Sequence, residues 1–297
     1  MSIFVTGDTH GAKEIAFSTT DGFISRFNTS NFPTQKELTK DDYVIICGDF
    51  GGIWETTLTA FKESASEKWA LDWLDSKPFT TLIVLGNHEN YDKIMGIKDE
   101  KLLNSWVFEK MPPEEKEKFK KGYPRKEWNG GFVRVLRPSV LVFESGVFTI
   151  ANKKCFVYNG ASSHDIYDGI LNPTDFENNN DFFKAYNKKQ SLFHMFRVKG
   201  ISWWEQEEPT KEDENKVREA LKKVNNKVDY IFTHDCSTEI KVFLGFSRRD
   251  NTPINKFLQE IEKTVTFKKW FFGHYHQNKT FPGGKHHLLY DNIIQIE

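Results

Sequence analysis

The chain has 297 residues, 38% of them hydrophobic and 28% charged, enough for one large domain or two small ones and too apolar for global disorder. Lys and Arg (41) nearly balance Asp and Glu (42), and the net charge of −1 excludes a global field that would draw in extended nucleic acid or an anionic membrane. Cys47, Cys155 and Cys236 are an odd number without finger-like spacing, and Cys47 and Cys155 lie in apolar strand-like runs, so buried thiols in a reducing compartment are expected rather than a disulfide framework. No apolar run reaches the length of a membrane span and no signal-peptide pattern precedes Asp8, so a cytoplasmic location is expected.

Taken in chain order, short β-rich apolar runs each end on a polar motif. Ile3–Thr6 leads into Gly7-Asp8-Thr9-His10, and Tyr43–Cys47 into Gly48-Asp49. Phe61, Ala65, Trp69 and Trp73, spaced by four, predict one apolar helix stripe in the segment that follows. Residues 81–85 lead into Gly86-Asn87-His88. Residues 93–128 then carry the charged run Glu114-Glu115-Lys116-Glu117-Lys118 behind Pro112-Pro113. Residues 132–136, 140–143, 147–150 and 154–158 read as consecutive strands, with turns at Pro138 and Ser145-Gly146. Residues 165–205 are rich in Asn and aromatics.

Thr210 with Asp213 forms a capping box before the stripe Val217, Ala220, Leu221 and Val224. Tyr230–Thr233 leads into His234-Asp235. Thr252 and Pro253 open a helix whose face is Ile254, Phe257, Leu258 and Ile261. Residues 270–272 lead into Gly273-His274-Tyr275-His276.

Strands apolar throughout belong to sheets covered on both faces. The pattern predicts an α/β protein (α+β by some schemes): a central β-sandwich of two mixed sheets flanked by helices. Ligands of such sheets gather at the C-terminal ends of strands, so the motifs should meet there. With no repeat and no linker, residues 1–297 read as a single domain. Segments of about 93–128 and 165–205 read as long loops serving as insertions or lids.

The strand ends offer Asp8, His10, Asp49, Asn87, His88, His234, His274 and His276, which include five of the nine histidines. Carboxylate, imidazole and amide donors suit hard-to-borderline divalent cations, and the number of donors exceeds what one ion can use. Two cations about 3.5–4 Å apart can clamp the attacking and leaving oxygens of an in-line displacement. Isolated histidines after strands are more often structural, so His164, His194, His286 and His287 are not expected to be ligands.

Together, Gly7-Asp8-Thr9-His10-Gly11, Gly48-Asp49, Gly86-Asn87-His88-Glu89, His234 and Gly273-His274-Tyr275-His276 resemble the signature of the calcineurin-like metallophosphoesterases, in that family's order. The resemblance implies a dimetal phosphoric ester hydrolase that attacks in line with a metal-bridging hydroxide. It places Asp8, His10 and His276 on the first metal and Asn87, His234 and His274 on the second, with Asp49 bridging both. His88 would be the catalytic group at the leaving or a phosphoryl oxygen. Gly160-Ala161-Ser162-Ser163 and Ile201-Ser202-Trp203-Trp204-Glu205 are similar to a bacterial and phage-associated subgroup. Manganese heads the implied metals, with Fe, Zn or Ni as alternatives.

After Asp49 the chain reads Phe50-Gly51-Gly52-Ile53-Trp54-Glu55. It lacks both the Asp-Arg pair of the Ser/Thr protein phosphatases and the tyrosine ligand of purple acid phosphatases. Arg134, Arg137, Arg197, Arg248 and Arg249 are candidate phosphate grips. Trp54, Tyr91, Trp203, Trp204 and Tyr275 are candidate stacking platforms. The expected substrate is a phosphomonoester of a small molecule or a phosphopeptide. The alternatives are a phosphodiesterase acting on cyclic or linear nucleotides and, from another class, a catalytically silent protein-interaction module.

Overall fold

The computed structural model describes residues 1–11, 22–54 and 63–297, so Phe61 and Glu55 lie outside the described residues. The strands are β1 Ile3–Thr6, β2 Tyr43–Cys47, β3 Thr80–Val84, β4 Arg125–Trp128, β5 Gly131–Arg137, β6 Val140–Phe143, β7 Gly146–Ile150 and β8 Lys153–Tyr158. They continue as β9 Ile170–Leu171, β10 Arg197–Val198, β11 Tyr230–Thr233, β12 Lys269–Phe272, β13 Lys279–Thr280, β14 His286–Leu288 and β15 Ile294–Gln295. The α-helices are α1 Phe23–Arg26, α2 Ala65–Asp75, α3 Tyr91–Met95, α4 Glu100–Leu103, α5 Pro113–Lys121, α6 Asn179–Ser191, α7 Lys211–Lys223, α8 Thr238–Phe243 and α9 Pro253–Thr264.

Two mixed sheets carry the architecture, in the orders β15-β1-β2-β3-β6-β5-β4 and β13-β14-β12-β11-β8-β7. Their central strands, β1-β2-β3-β6 and β8-β11-β12-β14, run parallel within each sheet. The period of two explains why the strands are apolar throughout. Ile3, Val5, Ile45, Cys47, Leu82 and Val84 of the first sheet meet Cys155, Val157, Tyr230, Phe232 and Phe271 of the second in one inter-sheet core. The alternate residues Phe4, Val44, Ile46 and Ile83 face outward against Phe23, Phe27, Ala70 and Leu71. On the other side, Phe156, Tyr158, Ile231, Trp270 and Phe272 pack against α7 and α9 through Val217, Leu221, Phe257, Leu258 and Ile261.

Both expected helix starts form as capping boxes, Thr210 with Asp213 and Thr252 with Asn255. Each such cap contributes about 1 kcal/mol. The stripe expected after Asp49 is different. Helix α2 begins at Ala65 behind the Ser64 cap, and it buries Glu67, Ala70, Leu71 and Leu74. Trp69 is 58% exposed and Ala65 faces solvent. A spacing of four drifts around a helix of 3.6 residues per turn, and Ala70, Leu71 and Leu74 keep the helical period better.

The two long segments also carry regular structure of their own. Residues 93–128 include α4, α5 and the edge strand β4, with an apolar cluster of Ile97, Leu102, Leu103, Val107, Phe108, Met111 and Phe119. Residues 165–205 hold the parallel pair β9-β10 and helix α6, built on Leu171, Phe182 and Val198. Trp106 joins them: it packs on both clusters, and its indole N–H donates to the carbonyls of Pro173 and Phe176 at 3.1 Å each.

Helix α3 is fixed to α2 by a buried ion pair, Lys93 Nζ to Glu67 Oε2 at 2.7 Å. Both side chains are nearly inaccessible, at 2% and 5% exposure, so removing the cation would leave a carboxylate short of its charge partner. Lys93→Met should therefore lower stability by about 3 kcal/mol in urea unfolding. A change within about 0.5 kcal/mol would show that Glu67 is satisfied without Lys93.

Candidate active site

The loops after β1, β2, β3, β11 and β12 converge at one end of the sandwich. Backbone hydrogen bonds lock them together: Thr9 and His10 donate to the Asp49 carbonyl, His88 N–H donates to Asp49 Oδ1 at 2.9 Å, and His274 N–H donates to both Asp8 oxygens at 3.0 and 3.1 Å. His10, Asp49, His274 and His276 all have positive φ, from 44° to 74°. Side chains rarely accept that region, and such strain persists only where the surrounding structure fixes it.

Two groups of donors result. Asp8, His10 and His276 can each offer one ligand atom within 4.8 Å of the others, and so can Asp49, His234 and His274. Asp8 and Asp49 are buried carboxylates at 0% and 2% exposure. Between them lies the His234 ring, with Nδ1 3.5 Å from Asp8 Oδ1 and Nε2 3.2 Å from Asp49 Oδ1. The Nδ1 also lies 2.9 Å from the Cys47 carbonyl, which fixes the ring by accepting its N–H and aims Nε2 at the site. Asn87 follows Gly86, which packs on Asp49, and its side-chain oxygen and nitrogen are both buried with no hydrogen-bond partner. A buried amide without a partner is costly, and a cation on its oxygen would relieve it.

The electrostatics agree with a cation site. Burial pushes the Asp8 carboxyl up, and the neighbouring Asp49 charge acts the same way. Burial also works against Asp49, but His234 and the other imidazoles outweigh it and hold that carboxyl well below its usual range. His234 is pushed up to about 10, against burial, by Asp49 and Asp8. Burial pushes His274 down to about 3, which keeps its ring neutral, the form that could bind a cation. Carboxylate, imidazole and amide donors converging on buried negative charge fit divalent cations.

His88 lies outside both donor groups. Its ring stacks on the half-buried Trp54 at 5.5 Å and meets His10 edge-on at 5.6 Å. Burial pushes it down to about 4, and Arg197 adds to that effect against the pull of Asp49. Arg197 Nη2 is 3.2 Å from His88 Nε2. A guanidinium has only donors, so Nε2 is the acceptor and the ring proton belongs on Nδ1.

The other candidates separate cleanly. Arg134 pairs with Glu144, Arg137 pairs with Glu63 and Asp72, and Arg248 and Arg249 lie exposed in a short 3-10 turn. Tyr91 and Trp204 are core residues, and the Tyr91 hydroxyl donates to the Gly86 carbonyl. Tyr275 donates to Asp235 Oδ1, and Trp203 is half-buried. His286 pairs with Glu262, His287 hydrogen-bonds Thr280 and the Gly284 carbonyl, and His194 is exposed. His164 is exposed, its ring 6.0 Å from that of His274.

Sequence reasoning missed two supports. Arg26, 1% exposed, donates to Thr6 Oγ1 and to the carbonyls of Gly7, Asp8 and Tyr290, bracing the Asp8 loop. Glu89 accepts from the backbone N–H groups of Phe50 and Gly51, bracing the Asp49 loop. A glutamate directly after Asn87-His88 was a visible signal for the second; nothing near Arg26 marked the first.

A two-sheet sandwich with paired acid-and-imidazole groups at its strand ends defines a metal-dependent phosphoester hydrolase. The chain belongs to the calcineurin-like phosphoesterases, whose family profile matches residues 1–278. That family is dimetal-dependent, and the two donor groups are where this chain could hold its ions. Phosphopantetheinyl hydrolase from Mycobacterium tuberculosis is a similar solved structure, 14% identical, with 97% of this chain and 88% of that chain covered and a TM-score of 0.38. No curated protein gives a significant match. Among the described residues no helix is long and apolar enough to cross a membrane.

Space at the site depends on glycine. A Cβ on Gly273 would lie 2.2 Å from Asp8 Oδ1 and 2.8 Å from the Cys47 carbonyl oxygen, and one on Gly86 would lie 2.2 Å from Asp49 Oδ1. Gly273→Ala should displace the Asp8 carboxylate, so that metal content falls and turnover drops by about 10²-fold or more. Elemental analysis beside far-ultraviolet circular dichroism would check it. Two ions per chain in the variant would show that the loop has slack.

Proposed function

We propose that the protein is a phosphomonoesterase in which Asp8, His10 and His276 hold one cation, Asn87, His234 and His274 hold the second, and Asp49 serves both. The observation that carries the ligand assignment is the Asn87 amide, buried without a partner in the loop that binds Asp49. Bound divalent ions would supply Lewis acidity and a nucleophile from water at neutral pH. The chain's own residues do the rest. Asp49 offers two oxygens, one already taking the His88 N–H, and is held ionised by its imidazole neighbours. His88 can act on a leaving or phosphoryl oxygen through Nδ1–H, or through Nε2 once Arg197 is released to substrate.

The near-zero net charge supports a small phosphorylated molecule or phosphopeptide over a long polyanion. Three buried free cysteines support a reducing, cytoplasmic setting. Manganese is the first metal to try for this mixed donor set, followed by Fe, Zn and Ni. A phosphodiesterase acting on nucleotides shares the same ligands and is the outcome to test against.

Metal-free protein should regain hydrolysis with about two ions per chain and favour p-nitrophenyl phosphate over its bis-ester. Preference for the bis-ester would replace the monoesterase reading. Asp49→Asn should lose metal and nearly all turnover. His88→Ala should keep both ions while kcat falls roughly 10²–10⁴-fold. Full activity in either variant would overturn the role given to that residue.

A further inference from the structure

Residues 165–205 close on themselves at the base. The Asp168 N–H donates to the Met195 carbonyl and the Met195 N–H donates to Asp168 Oδ2, and β9 and β10 pair in parallel from Ile170 opposite Arg197. Along β10, Val198 turns into this segment's own apolar cluster. Arg197, its neighbour and so on the opposite face, points to the site. Its side chain is 6% exposed, and such a cation requires compensation.

The donors can be counted. The Nε–H edge faces Asp165 Oδ1 at 2.6 Å, Nη1 reaches the carbonyls of Ser202 at 3.1 Å and Asn87 at 3.4 Å, and Nη2 reaches His88 Nε2 at 3.2 Å. A guanidinium has five N–H groups; three of them make hydrogen bonds, and the Nε edge is held by the charge of Asp165 rather than by a well-aligned hydrogen bond. Among the described residues, Nη2, the nitrogen beside His88, keeps one N–H without a hydrogen bond. Asp165, which lies at the segment's other end and is 38% exposed, is the only carboxylate in ion-pair contact with the guanidinium among the described residues. Arg134 and Arg137, by contrast, are committed to carboxylates away from the site.

We propose that Arg197 is the substrate-binding and specificity-determining residue: it holds a nonbridging phosphoryl oxygen and selects the doubly ionised monoester, with Asp165 as its positioning residue. This rests on the phosphomonoesterase reading. A monoester presents an unesterified oxygen with a second negative charge, and a charge-assisted contact rewards it. A diester lacks that charge. The two long segments therefore do more than cover the site, because one of them delivers a functional cation.

The test compares wild type with Arg197→Met, Arg197→Lys and Asp165→Asn, all in the metal-loaded full chain. The readouts are kcat/KM on p-nitrophenyl phosphate and on the bis-ester, inhibition by inorganic phosphate, and metal content. Arg197→Met should cut monoester kcat/KM by about 10²–10³-fold, move the monoester-to-diester ratio by at least about tenfold, and weaken phosphate inhibition, with two ions retained. Arg197→Lys should fall between, and Asp165→Asn should raise KM more than it lowers kcat.

An equal loss on both esters, or an unchanged phosphate inhibition constant in Arg197→Met, would overturn the proposal. The monoesterase reading fails separately, on the unsubstituted enzyme's own ester preference.

Discussion

Two carboxylates held out of water at the same end of a sandwich set the terms for everything around them. Asp8 and Asp49 leave strands β1 and β2, neighbours in parallel register, so their loops emerge side by side. Left alone, buried charges this close would drive one another to protonate. The protein surrounds them with the His234 ring and backbone N–H donors, with the unpartnered amide of Asn87 in the adjoining loop, an arrangement that a cation would complete and a hydrophobic core would not tolerate. The left-handed backbone at His10, Asp49, His274 and His276 belongs to the same constraint, since each side chain must turn back sharply from its strand.

The source of the proposed ligands gives the site a second property. Asp8, Asp49 and Asn87 follow strands of the first sheet, whereas His234, His274 and His276 follow strands of the second. Ions held as proposed would tie the sheets together where the inter-sheet core ends. Metal binding and closure of that end would then be one equilibrium.

Much of this was legible beforehand because both signals are periodic or chemical. Strand runs such as Ile3–Thr6 and Tyr43–Cys47 are apolar at every position, which only a doubly covered sheet explains, and His and Asp at their ends are conspicuous against Val and Ile. The α2 stripe misled because Trp69 looks like core by composition, while the decision belongs to the angle around the helix axis. Segments 93–128 and 165–205 looked like loops because their apolar clusters are small, and a charged run stands out in the first and asparagines in the second. Arg197 could not be singled out from four other arginines. Its difference is tertiary: it lies behind His88, whereas Arg134 and Arg137 have nearby carboxylates.

Trp106 has a consequence for how such a protein can change over generations. It belongs to residues 93–128, yet its ring packs on Phe182 and its N–H is satisfied by Pro173 and Phe176 in the other long segment. Exchanging either segment alone would leave the indole short of its partners and uncover both small clusters. Divergence in the region bearing Arg197 should therefore be inherited in matched pairs, with position 106 and the 173–182 stretch covarying while the strand ends that carry the two donor groups stay fixed.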